Sequence, residues 1–321
     1  MRTPFPLFMF AGLLPAQYYI ASTIAGNGQL PPPASGSVAL NTRLVSPRNV
    51  ATSASGKTYF SDGYFNQIYE ITSTGNLELV AGAGRQGSSG DNGPATAALL
   101  DGPGAMTVDA NGNLLFADTG NGRIRRVTTA GMITTFAPIG GVTGMAFDAA
   151  GSLYFSVASQ HTVRRLTADG TNTIFAGTGT SGFSGDGGAA TAAALNGPTG
   201  LRFDSDGNLY IADTQNHRIR RVTSAGVIST VVGDGVARST GDNGPATGAS
   251  ITQPADIAID AANILYVSDT SSGRIRVVNR QGNITALAGG GRLYTDGAAA
   301  EAISLVSYKM SLEREGDSHT R

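Results

Sequence analysis

The sequence predicts an all-β fold, a β-propeller built from repeated four-stranded blades. Three observations support this prediction: a unit that recurs five times, turn residues between short apolar runs, and an excess of glycine over charge. The 321 residues include 45 glycines, whereas only 14% of them are charged. Such a composition is typical of tight turns that join short strands, and it disfavours a helical bundle.

The recurring unit aligns without gaps in its five copies, which begin at Ser46, Gly102, Gly141, Gly197 and Gln253. One column of the alignment contains Asp62, Asp118, Val157, Asp213 and Asp269. This column advances by 56 residues at every step except the second, where it advances by 39. The linker before the third copy is therefore 17 residues shorter than the others. Self-similarity of this kind is the signature of a repeat architecture.

Each copy contains three strand-like runs separated by Gly, Asn or Asp turns, and a fourth run follows it. In the second copy the three runs are 106–108, 114–117 and 124–127. The fourth runs are 79–84, 134–138, 173–179, 229–235 and 285–291. Four antiparallel strands form a small sheet that buries both faces only by packing against similar sheets, as the blades of a propeller do.

The ends of the repeat array predict an incomplete sixth blade. An additional outer run at 22–28 precedes the first copy, and we expect it to close the last blade. The propeller, expected over 18–305, is therefore nominally six-bladed, with five complete blades. Residues 306–321 have neither turn glycines nor strand alternation, and they are predicted to be a disordered or truncated tail.

The first 16 residues have the pattern of a signal peptide. They combine a positive charge at Arg2, an apolar run over 5–14 and a small residue at Ala16. We therefore expect a secreted or periplasmic protein; a buried first strand is the alternative interpretation. No later stretch approaches the roughly 20 apolar residues of a membrane span. The absence of cysteine from the sequence excludes disulfides, thiol catalysis and thiolate metal sites.

Two segments resemble a known family. LYIADTQNHRIRRV at 209–222 and FAGTGTSGFSGDGGAATAAALNGP at 175–198 are similar to the NHL repeat and its linker. The likeness is to exported bacterial NHL-repeat proteins and to the teneurin-type NHL domain, and it covers about 22–304. It implies an NHL-type β-propeller. Because one fold hosts many activities, it implies little about function.

Strand order places two sets of loops on one face of the propeller, which we call the loop face. These are the loops between the second and third strands and the linkers between successive blades. Recognition is commonly placed on adjacent loops that carry polar and aromatic groups. We expect a binding module that recognises a protein or carbohydrate ligand. The candidate ligand-binding residues are Tyr64, Phe65, Asn121, Gln160, His161, Phe183, Gln215, Asn216 and His217.

Comparison of the copies also predicts a structural ion pair. The predicted pairs are Asp118 with Arg123, Asp213 with Arg218, and Asp269 with Arg274. In the third copy both partners are lost together, as Val157 and Thr162, which favours a salt bridge across the turn over acid–base catalysis. Asp62 stands with Gln67, so we expect it to be the one carboxylate of this column that is free for other work.

The three long linkers each place an aspartate before an Ala/Thr run, at Asp91, Asp186 and Asp242. This arrangement predicts an N-cap over one or two helical turns. Calcium is the alternative, although no loop concentrates the several carboxylates that calcium prefers. Three histidines, His161, His217 and His319, are too scattered for a zinc site. We therefore predict no metal site and no cofactor, with Ca²⁺ left open.

Nucleic-acid binding is disfavoured by the formal net charge of −1. The arginines of the third strands are interpreted as a solvated strand face: Arg125, Arg126, Arg164, Arg165, Arg220, Arg221 and Arg276. The oligomeric state is not indicated by the sequence.

An enzyme is the main rival of the binding module. Propellers of the gluconolactonase or strictosidine-synthase-like kind place a metal or a Glu/Asn/Asp constellation at the central axis, where a hydrolase or lyase site would lie. The glutamates here fall outside the first strands: Glu70, Glu78, Glu301, Glu313 and Glu315. We therefore predict no catalytic residue and favour the binding module. A truncated repeat protein without activity is the third alternative.

Overall fold

The structure, a computed structural model, describes residues 33–42 and 44–290. These residues form five antiparallel four-stranded sheets, two of which gain a short fifth strand. The helices among them are three-residue 3₁₀ turns, and none is long and apolar enough to cross a membrane. The predicted all-β propeller fold is confirmed, with five blades in the described residues. The predicted signal peptide, the strand at 22–28, the sixth blade and the tail at 306–321 lie outside them.

The chain divides into two compact units between Val142 and Thr143. The first unit holds blades 1 and 2. Blade 1 consists of β1 (Pro47–Thr52), β2 (Thr58–Asp62), β3 (Gln67–Ile71) and β4 (Leu77–Ala81). The linker then contributes β5 (Gly93–Pro94), and blade 2 consists of β6 (Pro103–Val108), β7 (Leu114–Asp118), β8 (Arg123–Val127) and β9 (Met132–Ala137). In blade 2, β5 pairs with the outer strand β9.

The second unit holds blades 3, 4 and 5. Blade 3 consists of β10 (Val142–Phe147), β11 (Leu153–Val157), β12 (Thr162–Leu166) and β13 (Asn172–Ala176). Blade 4 consists of β14 (Pro198–Phe203), β15 (Leu209–Asp213), β16 (Arg218–Val222) and β17 (Ile228–Val232). After β18 (Gly244–Pro245), blade 5 consists of β19 (Pro254–Ile259), β20 (Leu265–Asp269), β21 (Arg274–Val278) and β22 (Asn283–Gly289). In blade 5, β18 pairs with β22.

The second strand of each blade is the most buried. In β7 and β11 every residue is buried, because both faces of the blade are covered. Continuous runs of Leu, Phe, Tyr, Ile and Val suit a strand that is buried on both sides. Tight turns join these strands to the preceding ones; in one of them the Asp109 carboxylate accepts the backbone N–H groups of Asn111 and Asn113.

The linkers supply part of the core within each unit. In the first unit, Ala95, Ala98 and Leu100 are fully buried among side chains of blades 1 and 2. The backbone N–H of Gly82 donates to the Ala95 carbonyl, which fixes the linker as it leaves β4. Ala190, Ala193 and Leu195 fill the same place between blades 3 and 4. The side chains of the Ala/Thr runs are therefore small enough for these segments to pack between adjacent blades.

A linker of the same kind precedes blade 1, although its sequence does not reveal it. Its 3₁₀ turn, Ala39–Asn41, lies where Ala95–Ala97 lies in the next linker. Val38 bridges Asn76 at the outer edge of blade 1, just as β5 pairs with β9 in blade 2. The segment has Ala34 and Ser35 where the other linkers have a Gly-Asp pair, so its sequence does not predict a linker of this kind.

Candidate functional site

Hydrogen bonds within each unit tie the loops between second and third strands to the linkers. In the first unit the Gly120 N–H donates to the Asp101 carbonyl, with an N···O distance of 2.8 Å. In the second unit the Gln215 N–H donates to the Asn196 carbonyl at 3.0 Å. The two sets of loops therefore share one side of their blades, as the strand order predicts.

The recurring aspartate at the end of each second strand is a structural acceptor. Asp118, Asp213 and Asp269 are fully buried. Each accepts the backbone N–H of the residue 17 positions earlier, at 2.8, 2.7 and 2.7 Å. A buried carboxylate requires such donors, because it has lost its hydration. These aspartates fix the end of each linker to its blade.

Asp62 is not free, so that prediction is wrong. Its side chain is fully buried and accepts four backbone N–H groups, from Val45, Ser46, Tyr64 and Phe65. In place of an arginine, backbone donors from both the linker and the following turn satisfy the carboxylate. The acceptor oxygens are thus used within the chain.

The predicted ion pairs need correction. Asp118 and Arg123 form an ion pair with an N···O distance of 3.3 Å. In blade 4, however, Asp213 pairs with Arg220 at 3.3 Å, and in blade 5 Asp269 pairs with Arg276 at 3.6 Å. The two arginines predicted as partners, Arg218 and Arg274, make other contacts. Arg218 donates to the carbonyls of Asn216 and Asp234, and Arg274 reaches Asp242.

The reason for this change is burial. Arg220 lies on the same face of β16 as Arg218, two residues further along, because side chains alternate along a strand. Its side chain is fully buried, whereas Arg218 is partly exposed. A guanidinium without water must be neutralised by nearby carboxylates, whereas an exposed one is satisfied by solvent. The buried arginine therefore takes the buried aspartate.

The linker aspartates complete these sites. They bind the buried arginines: Asp91 to Arg125 at 2.7 Å, Asp186 to Arg220 at 2.7 Å, and Asp242 to Arg276 at 2.8 Å. The prediction of an N-cap is therefore wrong: the 3₁₀ turns begin four residues later and have no side-chain cap. The interpretation of these three arginines as a solvated face is also wrong, because their side chains are fully buried.

The two carboxylates around a buried arginine differ in environment. Burial raises the pKa of the Asp213 carboxyl above its ordinary value, although hydrogen bonds from Asn196 and Asn216 and the Arg220 charge act against the rise. In the first unit, burial also acts to raise the pKa of Asp91. For Asp91, however, hydrogen bonds from Thr135 and Arg125 and the charges of the arginines outweigh burial, so the pKa of its carboxyl is lowered.

Two histidines predicted to bind ligand act as clamps within the second unit. His161 and His217 end their 3₁₀ turns in the left-handed conformation, with φ of 53° and 54°. Their Nδ1 atoms accept the backbone N–H groups of Gly197 and Gln253, each at 3.1 Å. In the first unit the Asn66 amide oxygen does the same for Gly102 at 2.7 Å. Each clamp joins a turn to the start of the next blade.

The other candidates separate into buried and exposed groups. Asn121 and Asn216 donate to their neighbouring aspartates and to linker carbonyls. Phe65 is buried and contacts the Tyr64 ring edge-on, with 5.1 Å between centroids. The candidates left exposed are Tyr64, Gln160, Phe183 and Gln215. Arg218 covers the Phe183 ring at 3.7 Å from its centroid.

Tyr64 lies at a cleft on the loop face of the first unit. The cleft has a volume of about 480 Å³ and is lined by both blades of this unit. The Tyr64 side chain is 64% exposed. The polar groups that line the cleft with it are Ser46, Arg48, Asn66, Gln86, Asp101 and Thr119.

Arg48 was missed by the sequence analysis, although the repeat contains a signal for it. Arg48 and Tyr64 each depart from their repeat columns, where the other copies have small or polar uncharged residues. The column of Arg48 otherwise contains Gly104, Thr143, Thr199 and Ala255, and the column of Tyr64 contains Gly120, Ser159, Gln215 and Ser271. Both departures fall in blade 1, and the fold brings them to one cleft.

Metal-ligating side chains do not converge in the described part of the chain: residues 33–42 and 44–290 contain no group of three or more His, Asp or Glu placed to hold an ion. The cleft offers aromatic, guanidinium, amide, hydroxyl and carboxylate groups instead. This arrangement is suited to holding a polar ligand by hydrogen bonds and ring contact.

Comparison with known proteins identifies relatives for part of the chain. The family model of the teneurin NHL domain matches residues 173–240. Teneurin-1 of Mus musculus is 39% identical over 93 residues, which cover 27% of this chain and 3% of teneurin-1. Protein SUPPRESSOR OF QUENCHING 1, chloroplastic, of Arabidopsis thaliana is 30% identical over 98 residues, which cover 30% of this chain and 9% of that protein. The chain thus spans a small fraction of either relative.

Solved structures are similar over more of the chain. An auxiliary nutrient binding protein from Bacteroides thetaiotaomicron matches with a TM-score of 0.65 and 15% identity, over 87% of this chain and 67% of that one. A streptogramin B lyase matches with a TM-score of 0.52 and 18% identity, over 77% and 70%. A gluconolactonase from Xanthomonas campestris matches with a TM-score of 0.51 and 15% identity, over 76% and 75%. Such identities show the fold alone. The match to the teneurin NHL domain and the teneurin relatives support an NHL-repeat assignment for the recurring blade, over the part of the chain that they cover.

Proposed function

We propose that this protein is a binding module that recognises a carbohydrate through the loop face, with the cleft of the first unit as its site. The observation that carries this proposal is the Tyr64 ring, which is 64% exposed at the edge of a polar cleft. An aromatic face that stays in water is available to stack on the apolar face of a sugar ring. Hydroxyl, amide and carboxylate groups beside it suit the hydroxyls of the same sugar.

The size and chemistry of the cleft favour a saccharide over a protein. A volume of about 480 Å³ falls within the range of small-ligand pockets, whereas protein interfaces spread over much larger surfaces. A protein partner would also be expected to meet several exposed apolar side chains together. Tyr64 is the one aromatic side chain that lines this cleft.

The hydrolase or lyase alternative is supported here only by likeness of fold. Neither the gluconolactonase nor the lyase is more than 18% identical to this chain. The carboxylates of the second-strand column are used as backbone acceptors or in ion pairs, so they do not supply a general acid or base. The binding module therefore remains the function that the geometry favours.

Binding of a panel of neutral and acidic oligosaccharides to the purified protein tests the proposal. Titration calorimetry is expected to detect a ligand, and Tyr64→Ala is expected to weaken its binding by about tenfold or more, because stacking is lost. Phe136→Ala is the matched control, since Phe136 is 37% exposed on β9 and does not line the cleft. If no saccharide binds, or if both variants bind equally well, the proposal fails.

We also propose that the protein acts outside the cytoplasm. The support is the pattern of residues 1–16, with one positive charge, an apolar run and a small residue at Ala16. N-terminal sequencing of the protein recovered from the periplasm or the medium is expected to begin at Gln17. Recovery from the cytoplasm with an intact N-terminus would contradict this proposal.

A further inference from the structure

We infer that the ligand of the cleft is an acidic saccharide, whose carboxylate is bound by the Arg48 guanidinium. This inference rests on the proposed carbohydrate-binding function and specifies its ligand class. The observation behind it is that an arginine lines the cleft and has no ion-pair or hydrogen-bond partner in the part of the chain that the structure describes.

Arg48 is exposed and takes part in no ion pair or hydrogen bond among residues 33–42 and 44–290. The other cleft groups are engaged to different degrees. Asp101 accepts a hydrogen bond from the Gln86 side chain at 3.0 Å, and the Asn66 amide oxygen is held by the Gly102 N–H. The guanidinium is therefore the strongest unused donor of the site, with five N–H groups.

Two glycines leave room for the Arg48 side chain at the cleft. The Arg48 side chain lies directly over Gly63, at the start of the turn that also carries Tyr64. A Cβ atom added to Gly102 would lie 3.3 Å from Arg48 Nη1, so that glycine also leaves room for the side chain. The arginine is thus placed between the turn of blade 1 and the start of blade 2.

The charge balance favours a single carboxylate. One planar guanidinium binds a carboxylate through two parallel hydrogen bonds. Polyanions such as nucleic acids require several cations, whereas this cleft contains one arginine together with the carboxylate of Asp101. The Asp101 carboxylate can accept hydrogen bonds from hydroxyl groups, of which a sugar ring carries several. A uronic or sialic acid sugar combines all the required groups: a carboxylate, several hydroxyls and a ring for Tyr64.

The test compares acidic oligosaccharides with their methyl esters, which keep the sugar ring and lose only the charge. The panel contains uronate and sialic acid oligosaccharides, neutral oligosaccharides, and a peptide with a free carboxylate. We expect at least one acid to bind the full chain about tenfold or more tightly than its ester, because charge-assisted hydrogen bonds are lost in the ester.

Variants locate this preference. Arg48→Gln is expected to lower the affinity for the acid to that for the ester, and Arg48→Lys to give an intermediate value, because lysine lacks the planar fork. Arg238→Gln is the matched control: Arg238 is also exposed, but it lies in the second unit and outside the cleft. Thermal unfolding of each variant shows that it folds.

The outcomes separate this inference from the proposed function. If acid and ester bind equally well and Arg48→Gln changes neither, carbohydrate binding stands and the inference is overturned. Tighter binding of the peptide carboxylate than of any saccharide overturns both. The absence of any saccharide binding also defeats both. A preference for the acid that disappears only in the Arg48 variants supports the inference.

Discussion

Three arginines on the third strands are the most unusual residues of this fold. Arg125, Arg220 and Arg276 have no exposed side-chain surface, yet each lies between two carboxylates. Removing one member of such a buried group leaves the others as uncompensated charges, which costs more than the group contributes as a whole. Blades 1 and 3, which lack one or both of these aspartates, show a different arrangement at the same position.

In blade 3, Val157 replaces the second-strand aspartate and the preceding linker is short; there, Arg164 turns to solvent and binds Asn172. In blade 1, Tyr69 occupies the position of the buried arginine, and its hydroxyl donates to Gln67 Oε1 at 2.6 Å, with the Pro33 carbonyl at 3.3 Å. Burial raises the pKa of this phenol, and the Asp62 charge adds to the rise, so it remains a neutral donor. Arginine is thus buried only where both aspartates are present.

Substitution of a buried arginine tests this account. Arg220→Met is expected to lower the free energy of unfolding by about 3–5 kcal/mol, because Asp213 is left buried with less compensation. Arg164→Met, in the same repeat column, should change it by less than about 0.5 kcal/mol. Urea unfolding followed by circular dichroism measures both. The double variant Arg220→Met with Asp213→Val, which imitates blade 3 at the aspartate, should recover part of the loss. Equal effects of the two single variants would refute the account.

Asp91 predicts how stability responds to acid. Burial acts to raise the pKa of its carboxyl, but hydrogen bonds from Thr135 and Arg125 and the arginine charges together lower that pKa below its ordinary value of 3.8. A lowered pKa in the folded state contributes stability that is fully present above 3.8 and is lost as the pH falls through the folded-state value. Asp91→Asn should therefore lower stability at neutral pH and flatten its fall in acid.

Urea unfolding at a series of pH values measures this change. Asp206→Asn serves as the comparison, because Asp206 is an exposed turn residue in blade 4 that makes no ion pair among the described residues. Its curve should retain the acid dependence of the unchanged protein. An Asp91→Asn curve that remains parallel to that of the unchanged protein from neutral to acidic pH would show that this carboxylate does not contribute.

At the scale of elements, the left-handed residue that ends the loop between the second and third strands can join successive blades. This position requires positive φ, and the link to the next blade also requires an acceptor. His161, His217 and Asn66 satisfy both requirements, whereas Gly122 and Gly273 satisfy only the first. These histidines are therefore explained by backbone geometry, and their place on the loop face does not by itself indicate ligand binding.

Substitutions at His217 separate the two requirements. His217→Asn should leave the free energy of unfolding within about 0.5 kcal/mol, because asparagine keeps the acceptor and tolerates this conformation. His217→Gly should cost about 1 kcal/mol for the lost hydrogen bond to Gln253. His217→Val should cost about 1–2 kcal/mol more, because its branched side chain opposes positive φ. Urea unfolding gives the order; a valine variant as stable as the asparagine variant would contradict it.

For the whole molecule, the sequence was sufficient to predict the blades. Each copy repeats the same apolar runs and turns, so the period, the strand order and the loop face follow from the pattern alone. The register of the second and third strands was also predictable, since Asp213 does lie opposite Arg218 in the sheet. The choice of ion-pair partner was not, because it depends on which guanidinium the folded linker removes from water. Which arginine is buried depends on tertiary packing, and comparison of the repeat copies does not reveal it.

The candidate site was predictable only in part. Tyr64 was identified as an aromatic residue in a loop, and it does line the cleft. Arg48 belongs to a first strand, so its position in the repeat does not place it among the loop residues from which the candidates were drawn. Both residues depart from their columns in the same copy. In a repeat protein, a copy that departs from its siblings at neighbouring columns is a stronger indication of function than loop position.

The linker between β4 and β6 is held at several points. Gly82 and Gly87 donate to carbonyls further along the linker, and Arg125 binds Asp91 from below. Residues 84–86 between these points are exposed. Gly84 has a positive φ and Gln86 donates to Asp101, so Arg85 is the position of this stretch whose side chain can change with the least effect on the sheets beneath. A substitution at Arg85 would change the surface next to Gln86 and the cleft while the contacts that fix the linker to its blades stay in place.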